Sequence, residues 1–182
     1  RGLGDVYKRQ LQMLSPISGV VGVVVGWGLR YLLERRNEPA LKVTSYIEEE
    51  VGKISGSEVS YLLVKIINCG GRQAPDCHGR VILTDLTTGS CLFEGETTWE
   101  KRDTWVSIRR GDYQKLRVLA YDSEKIYLLD GYERKDIPLS RLPSKALVRV
   151  QVTGMENTRA GHKDFILTFN KDNNEITLQA AS

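Results

Sequence analysis

At 182 residues, 41% hydrophobic and 27% charged, the chain is long enough for one full domain and a short additional segment. That composition excludes a disordered polar chain and a collagen-like fibre. The formal net charge is +3, and most of it comes from the first ten residues.

Residues 1–10 read RGLGDVYKRQ. Asp5-Val6-Tyr7-Lys8-Arg9-Gln10 resembles the translation of one frame of a transposon sequencing adaptor, so the segment is set aside as a scar of the kind an expression tag leaves. Arg1, Lys8 and Arg9 against Asp5 contribute +2, which leaves +1 on the remainder. A chain so nearly neutral gives no footing for nucleic-acid binding. Met13 is the expected start of translation.

Residues 14–33, LSPISGVVGVVVGWGLRYLL, carry a single charge, Arg30. At about 1.5 Å per residue a helix of this length spans roughly 30 Å, the hydrocarbon thickness of a bilayer. One transmembrane helix over 14–33 is therefore expected, and it would bind the chain to a membrane. The basic residues Arg30, Arg35 and Arg36 follow the apolar run, so the segment is not a cleavable leader. Positive charge prefers the cytoplasmic side, which places the rest of the chain in the cytoplasm as a single-pass protein. Trp27 and Tyr31 would lie at the interface. Ser18, Gly22 and Gly26 recur every four residues, a small-residue face on which two such helices could pair into a homodimer. Residues 34–40 form a short charged linker that ends at Pro39.

From 41 to 180 the pattern changes to a period of two. Leu41, Val43 and Ile47 mark a first strand, with a turn over residues 52–57. Leu62, Val64 and Ile66 alternate with Leu63, Lys65 and Ile67. After a Gly/Pro loop from Asn68 to Pro75, Val81 and Leu83 mark the next strand. Leu86-Thr87-Thr88-Gly89 is a hairpin turn into Cys91-Leu92-Phe93. Trp99 and Trp105 bracket a polar segment with Lys101 and Arg102. These four residues are a candidate interaction surface, although tryptophans so placed also close sandwich cores. Further strands are expected at Val106 and Ile108, at Leu116, Val118 and Ala120 with all three buried, and at Ile126 to Leu129. Residues 130–145, with Gly131, Pro138 and Pro143, read as the longest irregular loop. Val148, Val150 and Val152, then Phe165, Leu167 and Phe169, then Ile176 and Leu178, complete eight or nine strands separated by a polar loop over 154–163. Strands at short intervals with no helical run define a mainly β chain, an antiparallel β-sandwich.

The central stretch also carries a family resemblance. Val64-Lys65-Ile66-Ile67-Asn68-Cys69-Gly70-Gly71, followed by Ala74 and Cys77, resembles the V-x-N-x-G-x-x-x-A signature of immunoglobulin-like modules in prokaryotic surface proteins. The cell-adhesion-related bacterial domain is among them. The layout is similar to archaeal and bacterial proteins in which one N-terminal membrane helix precedes such a sandwich. The resemblance implies an immunoglobulin-like fold and no catalytic residues.

Little in the chain reads as chemistry. Cys69, Cys77 and Cys91 are odd in number and lack a C-x-x-C spacing, which argues against a disulfide framework and a structural zinc site. A Cys69–Cys77 bridge would need an oxidising compartment. His78 stands beside Cys77, but strand alternation sends the two to opposite faces. Glu94 and Glu96 have no partner spaced for a catalytic pair. Neither a G-x-S-x-G nor a phosphate loop occurs. The expected catalytic, cofactor-binding and metal-ligating residues are none. The expected function is a non-enzymatic, membrane-tethered interaction or scaffold module with a protein partner. The alternative is a sensor or ligand-binding domain that uses the Trp99–Trp105 segment and the loop at 130–145.

Overall fold

The computed structural model describes residues 23–34, 37–101, 103–130, 133–155 and 158–181. The chain divides into two compact units, one ending at Asn37 and the other starting at Glu38. In the first, residues 23–34 form helix α1, where Arg30 and Glu34 pair at 2.8 Å across one turn. Among the described residues no helix is long and apolar enough to cross a membrane. The expected span of 14–33 is described only from residue 23 onward. Its first part lies outside the described residues, as do Ser18, Gly22, the adaptor-like segment and Arg102. Gly26 lies in α1, with open space where a Cβ would stand.

The second unit is built from the period-two segments. Where apolar residues alternate with polar ones, a strand buries one face and leaves the other to solvent, and two such sheets stack on their apolar faces. Eleven strands are present among the described residues: β1 Leu41–Ile54, β2 Ser57–Asn68, β3 Ala74–Asp85, β4 Cys91–Thr97, β5 Val106–Ile108, β6 Tyr113–Tyr121, β7 Lys125–Asp130, β8 Glu133–Pro138, β9 Lys145–Thr153, β10 Gly161–Asn170 and β11 Glu175–Ala180. One sheet has the order β1-β2-β6-β7-β8, the other β11-β10-β9-β3-β4 with β5 added on β3. All pairings between strands are antiparallel. The chain is a two-sheet antiparallel β-sandwich.

The core lies between the sheets. Leu62, Val64 and Ile66 of β2, with Leu116, Val118 and Leu119 of β6, face Val81 and Leu83 of β3, Val148, Val150 and Val152 of β9, and Phe165 and Leu167 of β10. Asn68 ends β2 fully buried, and its amide ties three segments together. Its Oδ1 accepts from the N–H of Ala40 and of Gly70, at 3.2 and 3.0 Å. Its Nδ2 donates to the carbonyls of Arg72 and Ile108, at 2.7 and 3.0 Å. Every polar atom of that side chain is therefore satisfied, which is what permits an amide in the core.

Three expectations are corrected. The region 130–145 is not an irregular loop: β8 pairs with β7 along its length, and a short 3-10 helix covers Leu139–Arg141. β8 is an edge strand whose side chains are charged apart from Ile137 and Pro138, so no alternation marks it, and an edge also tolerates the proline. The loop at 154–163 is shorter, because β10 begins at Gly161. The turn at 52–57 narrows to Ser55 and Gly56, with β1 and β2 pairing up to Ile54 and Ser57.

Candidate functional site

The five-stranded sheet carries apolar side chains on its outer face as well. Val59, Tyr61 and Leu63 of β2, Ala120 of β6 and Tyr127 of β7 form a second buried cluster there, separate from the main core. A bulge in β6 shapes this surface. Leu63 stands opposite Arg117, but Leu62 stands opposite Leu119, so β6 has one extra residue at Val118. A bulge of this kind bends its strand and changes the face that each later side chain takes. Here Val118 and Leu119 both join the main core, Ala120 falls on the outer face, and Arg117 stays outside.

The result is a cleft of about 290 Å³. Ile54 of β1, Val118, Leu119 and Ala120 of β6, and Leu129 of β7 supply apolar lining; Tyr61 and Tyr127 add aromatic rings. The Arg117 guanidinium lies 4.7 Å from the centre of the Tyr61 ring, and that of Arg134 lies 5.2 Å from the Tyr127 ring. Both fall within the range of cation–π attraction. Arg117 is held further by an Nη2 donation to the Glu100 carbonyl at 2.6 Å. Arg134 is held by Asp136, whose Oδ1 is 2.8 Å from its Nε. Lys53 adds an exposed third cation. Gly52, just before it, makes room for a wall of the cleft: a Cβ there would lie 2.6 Å from Cε2 of Tyr61.

Hydroxyl groups complete the lining. The Tyr127 hydroxyl donates to Asp122, and burial together with that carboxylate pushes its pKa up to about 12, so the phenol remains neutral at physiological pH. Thr97 Oγ1 donates to the Arg117 carbonyl at 2.5 Å. Thr98 is buried, and among the described residues its Oγ1 has no hydrogen-bond partner.

Of the four residues expected to form an interaction surface, Trp99, Lys101 and Trp105 are described. Trp99 is only 1% exposed and lies in the main core, where its indole Nε1 donates to the Cys77 carbonyl at 3.1 Å. Trp105 is 63% exposed. Lys101 is exposed, and Arg102 lies outside the described residues. Trp99, Lys101 and Trp105 do not line the cleft. From the expected loop at 130–145, Arg134 does contribute to it.

The other face of the molecule offers less. On β3, β4 and β9 a polar depression holds His78, Arg80, Glu94, Glu96 and Thr153. Arg80 pairs with Glu94 at 2.7 Å, and His78 Nε2 lies 2.8 Å from Thr153 Oγ1. Among the described residues no group of three or more His, Cys, Asp or Glu side chains is placed to hold a metal ion. The three cysteines are free thiols, Cys77 buried and Cys69 and Cys91 exposed.

No protein-family model matches the chain, and no curated protein sequence does. Among solved structures it is similar to a Bordetella pertussis protein assigned as ApaA, with a TM-score of 0.36 and 14% identity over 79% of this chain and 95% of that one. A CARDB domain from Pyrococcus furiosus, solved in complex with di-metal ions, gives 0.30 and 17% identity over 80% and 88%. Scores of this size carry no argument for kinship or function. The sandwich assignment rests on strand order and register.

Proposed function

We propose that the chain is a non-enzymatic binding module whose working surface is the cleft on the outer face of the five-stranded sheet. The observation that carries this reading is the second apolar cluster. Val59, Tyr61, Leu63, Ala120 and Tyr127 are gathered on the side of the sheet that does not face the other sheet, around an open concavity with arginines over its aromatic rings. A mostly apolar depression with a few convergent polar groups is the usual form of a small-ligand site. The alternative reading of the sequence, a ligand-binding domain, is thus favoured over a purely structural scaffold, with the cleft in place of the tryptophan segment.

The module is held at a membrane by the apolar stretch 14–33, with its sandwich on the cytoplasmic side. The run of uncharged residues and the basic flank of Arg30, Arg35 and Arg36 support that placement. Kinship to immunoglobulin-like cell-adhesion modules and helix pairing through Ser18, Gly22 and Gly26 belong to the same proposal.

A fragment screen read by thermal shift on the full chain tests the site. Leu129→Trp, at a half-buried position in the lining, fills the cleft, and Trp105→Ala removes the exposed indole. Fragments that stabilise the parent should lose their effect in Leu129→Trp and keep it in Trp105→Ala. The reverse pattern would return the binding surface to the tryptophan segment, and the absence of any stabilising fragment would count against a ligand-binding module.

A further inference from the structure

We infer that the cleft takes a small organic anion, with its charged group among Lys53, Arg117 and Arg134 and its flat or apolar body against Tyr61 and Tyr127; this rests on the cleft being the binding surface. Among the described residues three cationic side chains line it and no carboxylate does. Of the acids on neighbouring elements, Asp136 is shared between Arg134 and Lys125, so that one carboxylate serves two cations, Glu100 pairs with Lys115, and Asp122 accepts from the Tyr127 hydroxyl and two backbone N–H groups.

The walls strengthen what the charges do. Tyr61 and Tyr127 are 7% and 5% exposed, so an anion placed beside them meets the arginines in a medium less screened than water. One guanidinium lies over each ring, and a cationic ligand in the cleft would face three like charges.

The volume of about 290 Å³ suits an anion with one ring or a short chain, at the lower end of small-molecule sites, and is too small for a polymer.

The test is calorimetric titration of the full chain in a non-ionic detergent with phenyl phosphate, inorganic phosphate, phenol and benzylamine. Phenyl phosphate should bind tightest, on the order of tenfold or more above phenol and inorganic phosphate, with no binding of benzylamine. Its affinity should fall with added salt and drop by a similar factor in Lys53→Glu and in Arg134→Glu. Both are exposed positions where the fold is retained, as circular dichroism would check. Equal binding of phenyl phosphate, phenol and benzylamine, lost in Leu129→Trp, would overturn the anion assignment while leaving the cleft as a binding surface. Phenyl phosphate binding unaffected by both charge reversals would also overturn it. Binding of none of the four would overturn the anion assignment, and the fragment screen would then decide the cleft separately.

Discussion

Leu116 of β6 packs its side chain directly against Gly79 of β3, and this contact joins the two sheets. A Cβ on residue 79 would lie 2.4 Å from Cδ1 of Leu116 and 2.9 Å from its Cγ. Leu116 and Gly79 are both buried, so neither has room to yield. Gly79→Ala is expected to destabilise the sandwich by about 1–3 kcal/mol through overpacking. In a Leu116→Ala background the same change should cost less, with a coupling of about 1 kcal/mol or more in a double-mutant cycle measured by denaturant unfolding. Additive effects would mean that the two residues do not touch.

Asn68 gives a second prediction. Replacing it with Ala strands the carbonyls of Arg72 and Ile108 and the N–H groups of Ala40 and Gly70. At about 1 kcal/mol for each lost bond, Asn68→Ala should cost roughly 3 kcal/mol or more. Asn170→Ala, at an exposed position where the amide accepts only a local turn bond, should cost under about 0.5 kcal/mol. Urea unfolding of the two variants checks the order, and equal costs would refute the hub.

The sequence made these strands legible because alternation is local. Leu62, Val64 and Ile66 show their buried face within one short segment, as do Val148, Val150 and Val152, and all are buried in the core. The same reading missed β8, since Glu133 to Asp136 are all charged and the strand earns its place by pairing with β7. It also let Ala120 follow Leu116 and Val118 onto the core face, because a bulge leaves no mark in composition.

The cleft was less visible still. It draws residues from β1, β2, β4, β6, β7 and β8, from the turn after β1 and from the chain after β4, which only the pairing of strands brings together. Trp99 and Trp105 were conspicuous by type, but the fold sends one to the core and leaves the other outside. One signal was present. Tyr61, Arg117 and Tyr127 flank or interrupt the buried runs of β2, β6 and β7, where an ordinary solvent face would carry Thr, Ser or Lys.

Cysteine reactivity should divide two to one. Cys77 is fully buried, its thiol donates to the Ala74 carbonyl at 3.3 Å, and burial pushes its pKa up to about 11. The thiolate is the reactive form, so this group should be inert in the native state. Cys69 and Cys91 are exposed. A water-soluble thiol reagent should therefore titrate two thiols of the reduced native chain and the third only after denaturation. Three fast thiols would contradict the burial of Cys77.

Acid stability follows from the pair on the exposed face of β9 and β10. Arg149 grips Asp164 with two hydrogen bonds, 2.7 Å from Nε to Oδ1 and 2.8 Å from Nη2 to Oδ2, and holds its carboxyl below the usual range. A carboxyl with a depressed folded pKa contributes stability that is complete above its unfolded value, about 3.9, and is lost as pH falls through the folded value. Asp85 behaves in the same way, lowered by the Thr87 N–H. Asp164→Asn should flatten the fall of unfolding free energy in this acid window and leave its slope near neutral pH unchanged. An unaltered acid limb would show that the pair is not linked to folding.

The most direct test of the cleft as the working surface is a map of amide NMR shifts on the full chain titrated with phenyl phosphate. The expected result is a contiguous set of perturbations at Tyr61, Thr98, Arg117, Ala120 and Tyr127, with Lys101, Trp105 and the outer positions of β9 and β10 unmoved. Perturbations centred on Trp105, or on His78 and Glu94 of the other sheet, would contradict it.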